Sequence, residues 1–157
     1  MARETDLMNL MNRIESLEER IRFLNRLENK GGLVFTPLTT PLTSTGWDGD
    51  YYSTTEKTKI DLSAVFGVPA GVKAVYVRLA SLDTGSYAST TTKVRLSPNN
   101  ISGSGSLFSS SAGRANGRYE EAAGIVPCDE NGDIYYQITA SGTNTTGIIL
   151  EIWGYWI

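Results

Sequence analysis

The sequence predicts a mainly β protein with an N-terminal α-helix, in which a parallel coiled-coil stalk precedes a jelly-roll-like antiparallel β-sandwich. Three observations support this prediction: an apolar heptad pattern near the N-terminus, a sharp change of composition at Gly31-Gly32, and repeated alternation of apolar and polar residues after it. They divide the chain into a coiled-coil stalk over 1–32, an extended linker rich in proline and threonine over 33–46, and a β-sandwich head over 47–157.

The stalk is predicted from apolar residues spaced three and four positions apart. When the first of them is placed at heptad position a, every a and d position is Leu or Ile; the seam residues are Leu7, Leu10, Ile14, Leu17, Ile21 and Leu24. A single helix cannot bury so narrow a stripe on itself, so the pattern predicts packing against other copies of the chain. The alternative is an amphipathic helix that folds back on the head, which the strict a and d spacing disfavours.

The number of helices in the coil is left open between two and three. Ile at a with Leu at d favours a parallel dimer. The segment from Arg13 to Glu18, however, resembles the Arg-apolar-x-x-apolar-Glu pattern of trimeric coiled coils, and Arg13 at g can pair with Glu18 at e of a neighbouring copy. The homotrimer is the favoured prediction. Three heptads are marginal alone, so the head is expected to contribute to trimer formation.

The linker and the head differ in how clearly they predict strands. Pro37 and Pro41 disfavour helix and cannot donate to a sheet ladder, so 33–46 is expected to be extended, with a disordered linker as the alternative.

In the head, alternation or short apolar runs mark the segments 57–62, 72–82, 93–96, 125–128, 134–139 and 148–157, and turn residues separate them. Many short strands of this kind predict a sandwich or a barrel. The closing aromatic residues predict a C-terminus packed in the core or at a subunit interface.

Composition excludes several classes of function. The net charge is −3 and residues 1–32 carry six basic and six acidic side chains, so no basic surplus favours nucleic acid. No apolar run approaches the roughly 20 residues of a membrane span, and the N-terminus lacks the layout of a signal peptide.

The chain has no histidine, which excludes Ser-His-Asp and Cys-His catalytic sets, and its one cysteine cannot form an intrachain disulfide. We therefore expect a protein that is not an enzyme, with no catalytic residues and no cofactor.

Two acidic motifs bear on that expectation. Asp48 and Asp50 lie on one side of an extended segment, as a glycosidase pair can, but turns commonly carry such carboxylates. Asp129, Asn131 and Asp133 match the opening of a calcium loop, whereas the glycine and glutamate that such a loop needs further on are missing. A hairpin turn explains this segment better, and no metal site is predicted.

A ligand surface is the one binding site that the head suggests. The stretch 83–117 is rich in Ser, Gly and Thr, with Tyr87, Phe108 and Arg114 interspersed. Loops of this composition suit adaptable polar contacts with a receptor, and they equally suit plain solvated loops.

Four runs of residues, over 46–50, 59–75, 124–129 and 151–156, resemble small bacteriophage virion structural proteins of the tail-fibre, head-fibre and capsid-decoration kind. The resemblance covers most of the head and supplies no functional residues. It implies a trimeric coiled coil that carries β-sandwich knobs, capsid or tail proteins as partners, and a virion location after synthesis in the host cytoplasm. The alternative is a receptor-binding module that recognises a host-surface glycan or protein.

Overall fold

The computed structural model describes the chain in five stretches, which are residues 13–14, 17–22, 32–87, 91–112 and 117–157. The chain divides into two compact units, Met1–Leu33 and Val34–Ile157. Within the described residues, no helix combines the length and the apolar character that crossing a membrane requires.

In the first unit, residues 13–14 and 17–22 are helical. Glu18 and Arg22, four positions apart, form an exposed ion pair with 3.7 Å between Oε2 and Nη2, a contact that contributes little to stability. A helix is the conformation that the heptad pattern requires, whereas the packing of several copies into a coiled coil remains a prediction. The predicted seam residues Leu7, Leu10 and Leu24 lie outside the described residues.

The second unit is built from strands, which confirms the prediction of a mainly β chain with antiparallel sheets. Its strands are β1 (Phe35–Leu42), β2 (Asp48–Tyr52), β3 (Thr55–Ile60), β4 (Ala74–Asp83), β5 (Lys93–Ser97), β6 (Leu107–Ser109), β7 (Glu120–Pro127), β8 (Ile134–Thr139) and β9 (Thr146–Trp156). A 3₁₀ turn, Thr45–Trp47, precedes β2, and a short helix, Leu62–Phe66, follows β3. That helix begins after Asp61, whose carboxylate accepts a hydrogen bond from the backbone N–H of Ala64 at 2.9 Å.

The strands form two sheets with nested pairing. The first sheet has the order β1-β9-β4-β7, with β2 also paired to β9, and the second has the order β3-β8-β5-β6. Strands early in the chain therefore pair with strands late in the chain, in order from the two ends inwards: β1 and β2 with β9, β3 with β8, β4 with β7, and β5 with β6. Every one of these pairings is antiparallel.

The two sheets enclose one hydrophobic core. Successive side chains of a strand point to opposite faces, so alternate residues of each strand share the interior. Leu79 of β4 and Leu150 of β9 are fully buried from the first sheet, as are Leu96 of β5 and Ile138 of β8 from the second. All of them belong to a single cluster of buried apolar residues.

The predicted linker over 33–46 needs correction. Most of this segment is β1, and its residues pair with β9, beginning with Phe35 opposite Trp156. The extended conformation was predicted correctly, but the segment is part of the sheet. The two prolines are tolerated because β1 lies at the edge of the first sheet, where one side of the strand has no ladder to complete. The register is irregular between Pro37 and Leu42.

Candidate functional site

The described seam residues present apolar side chains to solvent. Ile14, Leu17 and Ile21 are between 47% and 56% exposed, and they stand at three successive a and d positions of a helix. Water-exposed Leu and Ile at this spacing leave a stripe that other helices can cover. Arg13 is also exposed, and its pairing with Glu18 of another copy remains a prediction.

A second apolar surface lies on the outer side of the first sheet, at the end where both ends of the β unit meet. There Val34 and Ile157 exchange two backbone hydrogen bonds of 2.9 and 3.1 Å. The strand registers place six residues in two adjoining rows of this outer side, which we call the terminal face: Phe35, Ala74, Tyr76, Ile125, Pro127 and Trp156.

The terminal face is held together by close contacts between strands. The ring of Phe35 lies against that of Trp156, with 4.4 Å between the ring centroids. It also covers Gly154, where an added methyl carbon would lie only 2.5 Å from Cε2 of Phe35. Tyr76 stands directly between Ile125 on one neighbouring strand and Gly154 on the other. Glycine at 154 thus leaves the space that the Phe35 ring occupies.

A row of paired charges borders the terminal face. Arg78, two residues from Tyr76 on β4, donates from Nη1 to Oε2 of Glu151 at 3.1 Å and from Nε to Oε2 of Glu121 at 3.2 Å. Its Nη2 also donates to the second oxygen of Glu121. Trp153 adds a hydrogen bond from its indole N–H to Glu151 at 3.1 Å. One cation and two carboxylates are therefore satisfied within the chain.

Electrostatics agrees with this geometry. Hydrogen bonds from Arg78 lower the pKa of Glu121, and hydrogen bonds to Glu121 and Glu151 raise the pKa of Arg78. The charges of the row are paired with one another and do not need a charged group from another molecule. It forms a polar rim beside an apolar surface, an arrangement common in protein–protein interfaces.

Of the predicted ligand residues, Phe108 is placed differently from the expectation of a loop site. Phe108 lies on strand β6 and is 56% exposed, whereas Tyr87 is exposed in the turn that follows β4. Arg114 lies outside the described residues. Phe108 is therefore a strand residue on the outer side of the second sheet, and the pairing of β6 with β5 fixes its backbone.

Two cations that the sequence analysis missed stand beside Phe108. The Nζ atom of Lys93 lies 5.5 Å from the centroid of the Phe108 ring, and Arg95 is directly opposite Phe108 in the register of β5 and β6. Within the described part of the chain, neither cation has a carboxylate oxygen within 4.0 Å. The alternation Lys93-Val94-Arg95-Leu96 was the available signal, because it puts both cations on one side of the strand.

A third cation interacts electrostatically with Arg95. Lys57 on β3 donates from Nζ to the backbone carbonyl of Ser104 at 2.8 Å. Burial lowers the pKa of Lys57, and the positive charge of Arg95 lowers it further. Partial desolvation and a neighbouring cation both disfavour the charged form of a lysine, and an anion bound beside it would stabilise that form. We call Lys57, Lys93, Arg95 and Phe108 the cationic cluster.

The acidic motif at 129–133 forms a turn. The Oδ1 atom of Asp129 accepts backbone hydrogen bonds from Asn131 and Asp133, both at 2.9 Å. Asp133 in turn accepts from Nζ of Lys59 at 2.9 Å and from the backbone N–H of Leu62 at 3.2 Å. These carboxylates stabilise the turn that joins β7 of the first sheet to β8 of the second; because the two strands do not pair with each other, the hairpin turn predicted for this segment is wrong. Among the residues that the structure describes, no cluster of three or more His, Cys, Asp or Glu side chains could hold a metal ion.

One carboxylate is buried at the opposite end of β4 from the terminal face. Asp83 accepts hydrogen bonds from the backbone N–H groups of Gly85 and Ser141 at 2.9 and 3.1 Å, and from the hydroxyl groups of Thr145 and Thr146 at 3.2 and 2.8 Å. The Ser141 hydroxyl also donates to it. Burial raises the pKa of Asp83, but these hydrogen bonds lower it more, and the resulting pKa is below its ordinary value. Asp83 therefore ties the β8–β9 turn to the end of β4.

The environment of the single cysteine disfavours its thiolate form. Burial, with smaller contributions from Asp129 and Asp133, raises the pKa of Cys128 to about 12. Because the thiolate is the reactive form, this environment suppresses reactivity.

No protein-family model matches the chain, and no curated protein matches it significantly.

Proposed function

We propose that this chain is a non-enzymatic virion structural protein, a homotrimeric fibre or decoration subunit that attaches to the capsid or tail of a bacteriophage. The observation that carries the proposal is the exposure of Ile14, Leu17 and Ile21 on a helix that belongs to a unit separate from the β unit. A protein that only recognised a small ligand would not need such a helix.

The topology of the β unit supports the same proposal. When β1 and β2 are counted as one interrupted strand, eight strands form two four-stranded sheets with the nested pairing of a jelly roll. Jelly rolls are frequent in viral capsid and lectin domains.

Assembly follows from the burial of apolar surface. Each Leu or Ile side chain that moves from water into a dry seam contributes about 1.5–3 kcal/mol. Three heptads nevertheless form a marginal coil alone, so the β units must contribute to a stable trimer. The absence of histidine and the protonated thiol of Cys128 support the non-enzymatic part of the proposal.

The deciding experiment measures the mass of the full chain in solution by light scattering coupled to size-exclusion chromatography. We expect about three times the monomer mass of 17.1 kDa at micromolar concentration. The double change Ile14→Asp and Leu17→Asp should dissociate the assembly, since it puts charges into the seam. The control Arg22→Asp introduces an acid at heptad position b, outside the seam, and should leave the mass unchanged. A wild-type monomer would contradict the proposal.

The second candidate function is recognition of a host-surface glycan, which the cationic cluster favours. The apolar side of a sugar ring can stack on the exposed ring of Phe108, while Lys93 and Arg95 can pair with carboxylates of the same chain. An acidic polysaccharide therefore fits this surface better than a neutral one.

Polygalacturonate tests this candidate, with dextran as the neutral control. Affinity electrophoresis should show retardation by polygalacturonate alone, and retardation should be lost in Phe108→Ala and Arg95→Gln. Lys73→Gln removes an exposed cation elsewhere and should leave retardation unchanged. Equal retardation of all variants would reduce the interaction to non-specific charge attraction and eliminate this candidate.

A further inference from the structure

We propose that the terminal face binds a second copy of this chain, so that the β units of the assembly contact one another directly through Phe35, Tyr76, Ile125 and Trp156. This inference rests on the proposed homotrimer and names the surface by which the β units take part in it.

The first argument is the continuity of exposed apolar surface. Phe35, Tyr76 and Ile125 are each between 38% and 53% exposed, and they come from three strands of one sheet. A single exposed apolar side chain is ordinary in a monomeric protein, but a contiguous patch bordered by polar residues marks an interaction site. The border is present here as the row of Arg78, Glu121 and Glu151.

The second argument concerns which molecule covers the face. Phe35 begins β1, and only ten residues separate it from Leu24, the last predicted seam position. Ten or eleven residues span at most about 35–40 Å when fully extended. Copies joined through the seam are therefore held close together by the end of the β unit that carries the terminal face. A tether of this length keeps the local concentration of the other copies in the millimolar range.

The third argument is charge. The carboxylates that border the terminal face are already bonded to Arg78, and the face itself carries no charged residue. Two copies can thus approach through this face without strong repulsion and without leaving a charge unpaired. A face turned toward a three-fold axis contacts both neighbouring copies, so one surface on each chain suffices for a closed ring.

The test is hydroxyl-radical footprinting of the full chain, read by mass spectrometry. The rates of oxidation of Phe35, Tyr76 and Trp156 should be at least about threefold lower in the assembled wild type than in the variant Ile14→Asp with Leu17→Asp. Phe108, which is exposed on the other sheet, serves as the internal control and should be oxidised equally in both.

A second measurement does not depend on the seam variant. Ile125→Asp should raise the concentration of half-dissociation at least about tenfold, whereas Ile101→Asp, at a site in a loop that is at least as exposed, should change it by less than about twofold. Two outcomes would show that the inference is wrong while the proposed seam assembly stands. In the first, the wild type assembles but its terminal face is oxidised at the rate of the dissociated variant; in the second, Ile125→Asp and Ile101→Asp change the assembly equally. A monomeric wild type would contradict both the inference and the proposed homotrimer.

Discussion

Phe35 and Trp156 lie against each other with 4.4 Å between their ring centroids, although one belongs to the first strand of the β unit and the other to the last. Their residues are also direct partners in the register of β1 and β9. The contact joins the first strand of the β unit to the last, and it forms one corner of the terminal face. The position of the Phe35 ring depends on the missing side chain at Gly154.

Gly154→Ala should destabilise the β unit by about 1–3 kcal/mol, the usual cost of an added methyl group in a packed site. The new carbon would meet Cε2 and Cζ of Phe35 at 2.5 and 2.6 Å and the backbone oxygen of Thr36 at 3.0 Å, so the ring must shift from its position against Trp156. The backbone at 154 is outside the left-handed region, so the expected effect is steric. Urea unfolding followed by tryptophan fluorescence measures it.

Gly46→Ala is the matched control for that experiment. A methyl carbon at Gly46 would lie 3.9 Å from the hydroxyl oxygen of Tyr52, which is ordinary contact, and the backbone there is also outside the left-handed region. We expect a change within about 0.5 kcal/mol. Equal destabilisation by both variants would contradict the steric explanation.

Asp83→Asn should lower the free energy of unfolding by about 1–3 kcal/mol, because an amide cannot accept all the hydrogen bonds that the carboxylate receives. The donors that lose an acceptor belong to the β8–β9 turn, including Ser141 and Thr146. Hydrogen exchange of this turn should accelerate along with global unfolding. The control Asp48→Asn changes an exposed carboxylate and should leave both measurements unchanged.

The same carboxylate predicts a dependence of stability on pH. The pKa of Asp83 is lower in the folded chain than its ordinary value near 4, so this group stabilises the fold above about pH 4 and its contribution is lost as the pH falls through the folded pKa. Glu121, whose pKa hydrogen bonds from Arg78 lower, acts with the same sign. The free energy of unfolding should therefore decrease between pH 5 and pH 2, and less steeply in Asp83→Asn. Parallel curves for the two proteins would contradict this assignment.

Cys128 should react slowly with a disulfide reagent such as Ellman's reagent. A thiol pKa of about 12 leaves a thiolate fraction at pH 8 that is at least about a hundredfold smaller than in an unfolded chain. We expect the rate in native protein to be lower by at least this factor than the rate in urea. Rapid reaction of the native protein would show that the thiol is accessible and ionised.

Much of the β unit could be predicted from local pattern. Strands β4, β5 and β8 each have one face in the core, so their sequences alternate clearly, as in Val75, Val77 and Leu79. The start of β7 was missed because Glu120, Ala123 and their neighbours carry no such alternation. β1 was interpreted as a linker because its prolines mark an extended segment without showing whether it has a partner strand.

Sequence alone thus determined the helical heptad pattern, the antiparallel β class and the alternating faces of the core strands, because each depends on residues only a few positions apart. Tertiary structure decided which strands are neighbours, and with that the candidate surfaces. The terminal face joins Phe35, Tyr76, Ile125 and Trp156 across more than a hundred positions of sequence, and the cationic cluster exists because β5 pairs with β6 while β8 pairs with both β3 and β5. Strand pairing is a long-range contact that local propensity does not encode, so neither surface could be read from the chain before it was folded.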